Sequence, residues 1–449
     1  MNRKIDTGVQ YSNIWHLVGG PKFNSGFDER EYRYHVSASN SNLLPRDLTI
    51  SLKIPNFGQV QTISPNSQEL GYEDSKDVSE RDRNAYVDQL LREIALQGNL
   101  FEKDRRVTQI NFGGNFSNVL VEPQGAEILD EIAAQFHLDL PSKLTLCHKI
   151  SHSRNSASLV SRLVASGFNR FNICTKELLQ NQQRTKPSHA VSHFIEAILT
   201  AQEKAASVEI DFCVDSHPSR ADLQGSVLAK LLELGVSQIN LIDAAGSVRA
   251  KPLTMMRDAL KSAGYIQLGL DQFGAPNSEL TTAYQKGNVY CDISGKLTTR
   301  NTDYVGIGLG SISQLNTAYA KNLSESFDYS ESLDQNLLPI EKGVSLSPDH
   351  QLRVAMVKEV ICKSRIDLDR TTGRYIDLPT STTIREYFSL ELKALVSLAK
   401  QELINISKFG FEITPKGMDQ KLRIAAIFDA QINSNKNNEP VSIFKTANK

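Results

Sequence analysis

The side chains best suited to chemistry fall in three short stretches. Residues 144–150 hold Cys147 and Lys149, residues 171–174 end on Cys174 with Lys176 two positions on, and residues 208–214 hold Asp211 and Cys213. Each stretch reads as a strand, so side chains two apart share a face. Cys147 then lies with Lys149, Cys174 with Lys176, and Cys213 with Asp211. Two ammonium groups near a carboxylate can bind an anion, or can pair locally and reach for solvent. Three thiols on neighbouring strands can ligate a soft metal, or can fill core space as small apolar side chains. His148, Lys149, His152 and His189 make a second polar group, but no spacing among them resembles a zinc site. Asp271 and Gln272 follow the alternating residues 265–270. They stand at the strand end where α/β sheets place functional groups, so a structural or ligand-contacting role is expected, with a solvated turn as the alternative.

These residues need a scaffold, and the pattern supplies one. Leu48, Ile50, Leu52 and Ile54 alternate as a strand, and Tyr86, Leu90, Leu91 and Ile94 recur at helical spacing over 82–96. Strands over 107–112, 144–150, 171–174, 208–214 and 238–242 then alternate with helices over 124–136, 156–166, 190–203, 223–234 and 253–263. About six such repeats predict parallel strands joined by right-handed crossovers, an α/β protein. Residues 1–45 read as polar and irregular. After residue 314 the chain turns helix-rich, with helices expected over 353–362, 384–403 and 420–432 and a turn-bearing wing over 411–417. Residues 433–449 are Asn/Lys-rich and read as a disordered tail.

The 449 residues carry 50 Lys and Arg against 51 Asp and Glu, a net charge of −1. No whole-protein field favours nucleic acid or an anionic membrane. No apolar run reaches the length of a membrane span. The first residues, Met1 to Asp6, show no signal-peptide pattern. Five dispersed cysteines suit reduced thiols, so a cytoplasmic location is expected.

A resemblance extends the reading. Gly264-Tyr265 leads to Gly269-Leu270-Asp271-Gln272-Phe273-Gly274-Ala275-Pro276-Asn277-Ser278-Glu279-Leu280, then to Leu297-Thr298-Thr299 and to the segment from Asp303 to Ser313 with its spaced Gly306, Gly308 and Gly310. This resembles the region after the catalytic barrel in oxygen-independent coproporphyrinogen III oxidases. The resemblance implies a partial (β/α)6 radical S-adenosylmethionine barrel over 46–313, and a helical, winged-helix-like C-terminal domain over 314–432. It also implies a [4Fe-4S] cluster held by three cysteines after the first strand. Here that strand runs into Ile54-Pro55-Asn56-Phe57, and the three ligand positions align with Gly58, Thr62 and Pro65. Soft thiolates hold such clusters, and none of these three side chains offers one. The positions implied to contact S-adenosylmethionine are Gly113, Gly114, Lys149, Lys176 and Asp211. Of the implied substrate contacts, a His and an Arg stand here as Gln272 and Ala275.

The strand and helix patterns are clean while the ligand positions have changed together. The reading is therefore a coproporphyrinogen-oxidase-like protein of porphyrin or haem metabolism, without cluster or S-adenosylmethionine chemistry. No catalytic residue and no cofactor is expected. A tetrapyrrole is the expected ligand, with Lys149, Lys176, Asp271 and Gln272 as contacts. Two alternatives stand beside it: a working dehydrogenase that decarboxylates propionates to vinyl groups, and a binding protein repurposed outside tetrapyrrole metabolism. The oligomeric state is unreadable.

Overall fold

The structure, a computed structural model, describes residues 23–42, 46–54, 80–114, 119–120, 123–141, 143–150, 156–176, 178, 187–215, 217, 220–243, 250–291, 297–368 and 384–428. Six parallel strands lie side by side in chain order: β1 (Asp47–Ile54), β2 (Arg106–Gly114), β3 (Thr145–Ile150), β4 (Arg170–Cys174), β5 (Ser207–Val214) and β6 (Gln238–Asp243). The helices Glu80–Gly98, Pro123–Gln135, Ser156–Ala165, Pro187–Glu203 and Ala221–Glu233 make the crossovers. Each strand turns its apolar positions outward. Leu48, Ile50 and Leu52 on β1, Ile110 and Phe112 on β2, Phe171 and Ile173 on β4, and Ile210 and Phe212 on β5 are buried in one core with Tyr86, Leu90, Ile94, Ile128, Ile132 and Phe194 of the helices. Burial of this apolar stripe drives the assembly.

The opposite faces carry Gln109 and Asn111, Cys147 and Lys149, Asn172 and Cys174, Asp211 and Cys213, and Gln238 and Asn240. A closed (β/α)8 barrel fills its centre with branched apolar side chains. This partial barrel lines its centre with amides, charges and thiols, which suits a lumen built to hold something polar.

The sheet continues past both barrel edges. β7 (Thr302–Ile307) pairs parallel with β1, and β8 (Ile312–Gln314), β9 (Ala318–Asn322) and β10 (Ile340–Ser345) follow antiparallel. At the far edge Gln272–Gly274 pairs antiparallel with β6, and Ile266–Gln267 pairs with it in turn. The glycine spacing after Asp303 has a direct cause. A Cβ on Gly306 would stand 2.5 Å from the Ile312 carbonyl oxygen, and Gly308 has φ +104° with the Lys53 carbonyl oxygen 2.4 Å from a Cβ.

Several expectations shift. The segment expected to be irregular contains a helix, Glu29–Asn40, whose N-cap Asp28 accepts from the Arg30 and Glu31 N–H groups. Its buried face is Tyr32, His35, Val36 and Ser39, a polar-looking set that hides the helical period. The boundary expected at 313/314 falls inside the main sheet, because β9 and β10 pair with the barrel extension. A second core packs the helix Pro348–Cys362 and the three-stranded sheet of Arg365–Asp367, Gly410–Ile413 and Ile404–Ile406 against Leu268, Val289, Cys291 and Leu297. The helix expected over 384–403 breaks at Phe388 into Ile384–Tyr387 and Ser389–Lys400, and the last helix is short, Lys421–Ala425 with a 3-10 turn Ala426–Phe428. The strand expected over 265–270 shrinks to Ile266–Gln267. Among the described residues no helix is long and apolar enough to cross a membrane.

Candidate functional site in the barrel lumen

The lumen is organised around Asp211. Parallel pairing sets Cys174 beside Asp211, Asp211 beside Asn240, and Lys149 beside Asn172. The Asp211 side chain is 2% exposed. Its Oδ1 accepts from Asn172 Nδ2 at 3.0 Å and from Asn240 Nδ2 at 2.9 Å, and its Oδ2 accepts from Lys149 Nζ at 3.2 Å. Gln238 Nε2 donates to Asn240 Oδ1 at 2.9 Å, which fixes the amide so that its NH2 faces the carboxylate. A buried carboxylate is tolerable only when so satisfied. The Lys149 side chain remains 51% exposed, so its ammonium sits where the lumen opens.

The thiols divide. Cys174 and Cys213 Sγ atoms lie 3.6 Å apart, whereas Cys147 pairs in register with Asn111 and Arg170, two residues below Lys149. Among the described residues no group of three or more His, Cys, Asp or Glu side chains could hold a metal ion, so a relocated three-thiol site is not assembled. Lys176 lies just past β4, half-buried, and its backbone N–H bonds to the Cys174 thiol. Of the sequence-derived pair of lysines, Lys149 is the one engaged with Asp211.

The remaining positions have structural partners. His148 points outward, with Nδ1 3.1 Å from the Phe112 carbonyl oxygen, and burial lowers its pKa to about 4. It is a neutral core histidine and shares no face with Lys149; His152 lies outside the described residues and His189 is exposed on its helix. Asp271 Oδ1 accepts from Arg257 Nε at 2.5 Å, which ties the turn before Gln272–Gly274 to the helix Ala250–Ser262. Gln272 is 3% exposed and its Oε1 accepts from Leu297 N at 2.9 Å. Both fasten the edge strand, which matches the structural role that stood beside ligand contact among the expectations. Gly114 has φ +79°, and a Cβ there would meet the Ile54 carbonyl oxygen at 2.0 Å, so packing of β2 on β1 alone requires it. Gly113 is looser, with the Leu52 oxygen 3.7 Å from a Cβ.

At the N-terminal end of the lumen a cavity of about 110 Å³ lies among Thr49, Gln109, Asn111 and Tyr304, capped by Gln351 and Lys358 of the helix Pro348–Cys362. That space is below the roughly 300 Å³ at which ligand pockets begin. Lys149, Cys174 and Lys176 stand toward the opposite, C-terminal ends of the strands. Asn172, Gln238 and Asn240 escaped the sequence reading. Their signal was a polar residue at every second position of otherwise apolar strands.

The aligned cluster positions Gly58, Thr62 and Pro65 lie outside the described residues. Their chemistry does not fit a [4Fe-4S] cluster, since none supplies a thiolate.

No family profile matches the chain. It is similar to oxygen-independent coproporphyrinogen III oxidases of Synechocystis sp., 26% identical over 370 residues covering 77% of this chain and 78% of that one. The Escherichia coli enzyme of that name is 24% identical over 368 residues, covering 77% of this chain and 79% of its own. In structure the chain resembles the solved E. coli coproporphyrinogen III oxidase, described as a radical SAM enzyme, with a TM-score of 0.76, 21% identity, and coverage of 91% of this chain and 95% of that one. By sequence over most of its length the chain is similar to the oxygen-independent coproporphyrinogen III oxidases, and in fold it resembles the solved E. coli enzyme.

Proposed function

We propose that this chain is a coproporphyrinogen-oxidase-like protein of porphyrin metabolism that binds a carboxylate-bearing tetrapyrrole without radical chemistry. One observation carries the reading. The lumen keeps a fixed polar lining around Asp211 and Lys149, while the three positions that would ligate a cluster are Gly58, Thr62 and Pro65. Without three thiolates no iron is left open to S-adenosylmethionine, so no step of this chain is routed through that cofactor.

The residues present can bind and orient. Asp211, held by Asn172 and Asn240, positions the Lys149 ammonium at the mouth. An ammonium carries three donors, so a ligand carboxylate can approach it while the Asp211 contact persists. Lys176, just past β4, supplies a second charge on the same side. Each charge-assisted bond contributes about 1.5–3 kcal/mol.

Titration of coproporphyrin III into the wild type and into the Lys149→Met, Lys176→Met double variant tests this. Loss of about tenfold or more in affinity is expected, since 1.4 kcal/mol corresponds to tenfold. Equal binding by both would make the lysines structural. A stoichiometric four irons and four sulfides after anaerobic reconstitution would instead restore the radical reading.

A further inference from the structure

We propose that Cys174 and Cys213 form a reversible disulfide by exchange with a small-molecule disulfide entering the lumen. Their Sγ atoms are 3.6 Å apart on neighbouring strands, already in contact. Closing to the roughly 2.0 Å of a disulfide asks for about 1.6 Å of approach; because Cys174 pairs in register with Asp211, two residues before Cys213, the neighbouring strand ends shift together with the side chains. Cys213 is buried, whereas Cys174 is partly exposed at the end of β4 beside the open Lys149 side of the lumen.

The two thiols are chemically unequal. The Cys213 thiol hydrogen-bonds to Cys174, and with help from the Lys149 ammonium and the Lys176 N–H this brings the Cys174 pKa down to about 7, despite burial and the Asp211 charge. Cys213 moves the opposite way, raised first by that same contact and then by burial. The accessible thiol is therefore the attacking one, and the buried thiol resolves.

The exchange balances as follows. The Cys174 thiolate attacks one sulfur of a disulfide R–S–S–R, forming a Cys174–S–S–R mixed disulfide and releasing R–S⁻, which takes up a proton. Cys213 gives up its proton, attacks Cys174 Sγ and expels the second R–S⁻. Two thiols are oxidised and one external disulfide is reduced to two thiols. Such transient pairs are the form in which disulfides occur in reducing compartments.

The test is incubation of the full chain with glutathione disulfide, then alkylation and peptide mapping. Loss of two of the five thiols is expected, with one dithiothreitol-sensitive cross-link joining the Cys174 and Cys213 peptides and no retained glutathione. Cys213→Ser should accumulate glutathione on Cys174. Wild-type protein that keeps glutathione on Cys174 with Cys213 still alkylatable, or that keeps both thiols free in excess oxidant, overturns the proposal. The wild-type map decides the matter even where a variant folds poorly.

Discussion

Replacing Asp303 with Asn should cost the fold a large part of its stability. Asp303 begins the glycine-spaced segment on β7, and its side chain is 1% exposed opposite a fully buried Arg105 at 2.6 Å. Ser39 Oγ donates to the same Oδ2 at 2.6 Å, and Arg46 Nη1 stands 3.8 Å from Oδ1. Arg105 also donates from Nε to the Arg46 carbonyl at 2.9 Å and from Nη1 to Ser39 Oγ and Asn40 Oδ1, both at 3.2 Å. The pair thus joins the helix Glu29–Asn40 and the approach to β1 with the starts of β2 and β7. Asp303→Asn keeps the shape and removes the charge, leaving a guanidinium buried among neutral acceptors. Breaking a buried pair from one side costs about 3–5 kcal/mol. Against a total stability of about 5–15 kcal/mol, that is a large fraction. Urea unfolding of Asp303→Asn, Arg105→Met and the double variant gives the coupling energy directly. The double variant should be more stable than the sum of the two losses implies, because no uncompensated charge remains. An Asp303→Asn loss below about 1 kcal/mol, with additive singles, would refute the assignment of this pair as the fastener of the barrel's base.

Two further predictions concern β7 and the segment that follows it. Glu93 is fully buried, accepting from Gly308 N at 2.8 Å, from Asn322 Nδ2 at 2.6 Å and from the Tyr329 hydroxyl. Burial outweighs these donors and raises its pKa from 4.5 to about 7. The folded state then binds more protons than the unfolded state between those values, so the stability contribution is complete below about pH 4.5 and is lost as pH rises through about 7. That displacement amounts to roughly 3 kcal/mol, and Glu93→Gln should flatten this part of a urea-midpoint-against-pH curve. An unchanged slope in the variant would assign the dependence elsewhere. Gly306→Ala forces a Cβ to 2.5 Å from the Ile312 carbonyl oxygen, and overpacking of this kind costs about 1–3 kcal/mol. A variant with wild-type melting behaviour would show that β7 and the start of β8 can separate freely.

The outward half of the barrel was legible because it obeys a simple period: apolar side chains at every second strand position and every third or fourth helix position, as in Leu48, Ile50 and Leu52 against Tyr86, Leu90 and Ile94. The inward half was harder. Asn172, Gln238 and Asn240 alternate with apolar residues just as a solvated strand face does, and only the curling of the sheet into a partial barrel turns that face into a lumen. Lys149 was legible as an inward charge, and its pairing with Asp211 was one of the options the spacing allowed. A structural role for Asp271 and Gln272 was among the readings the sequence allowed, but their partners, Arg257 and the Leu297 N–H, were not legible, because they are set by how the Gln272–Gly274 edge strand packs.

The structure also explains the residues that carry the resemblance over 263–313. Ser278 caps the helix Glu279–Gln285, Asp271 holds Arg257, Gln272 holds the Leu297 N–H, Asp303 holds Arg105, and Gly306 and Gly308 admit neighbouring backbone. Every one of these constraints is a folding constraint. A chain that keeps the barrel must keep them whether or not it performs chemistry. Gly58, Thr62 and Pro65, by contrast, offer no thiolate to a metal cluster. Retention of the folding residues is therefore what packing alone demands of a chain with this fold, whatever chemistry the lumen's own side chains, Lys149, Asp211 and the thiols beside them, perform.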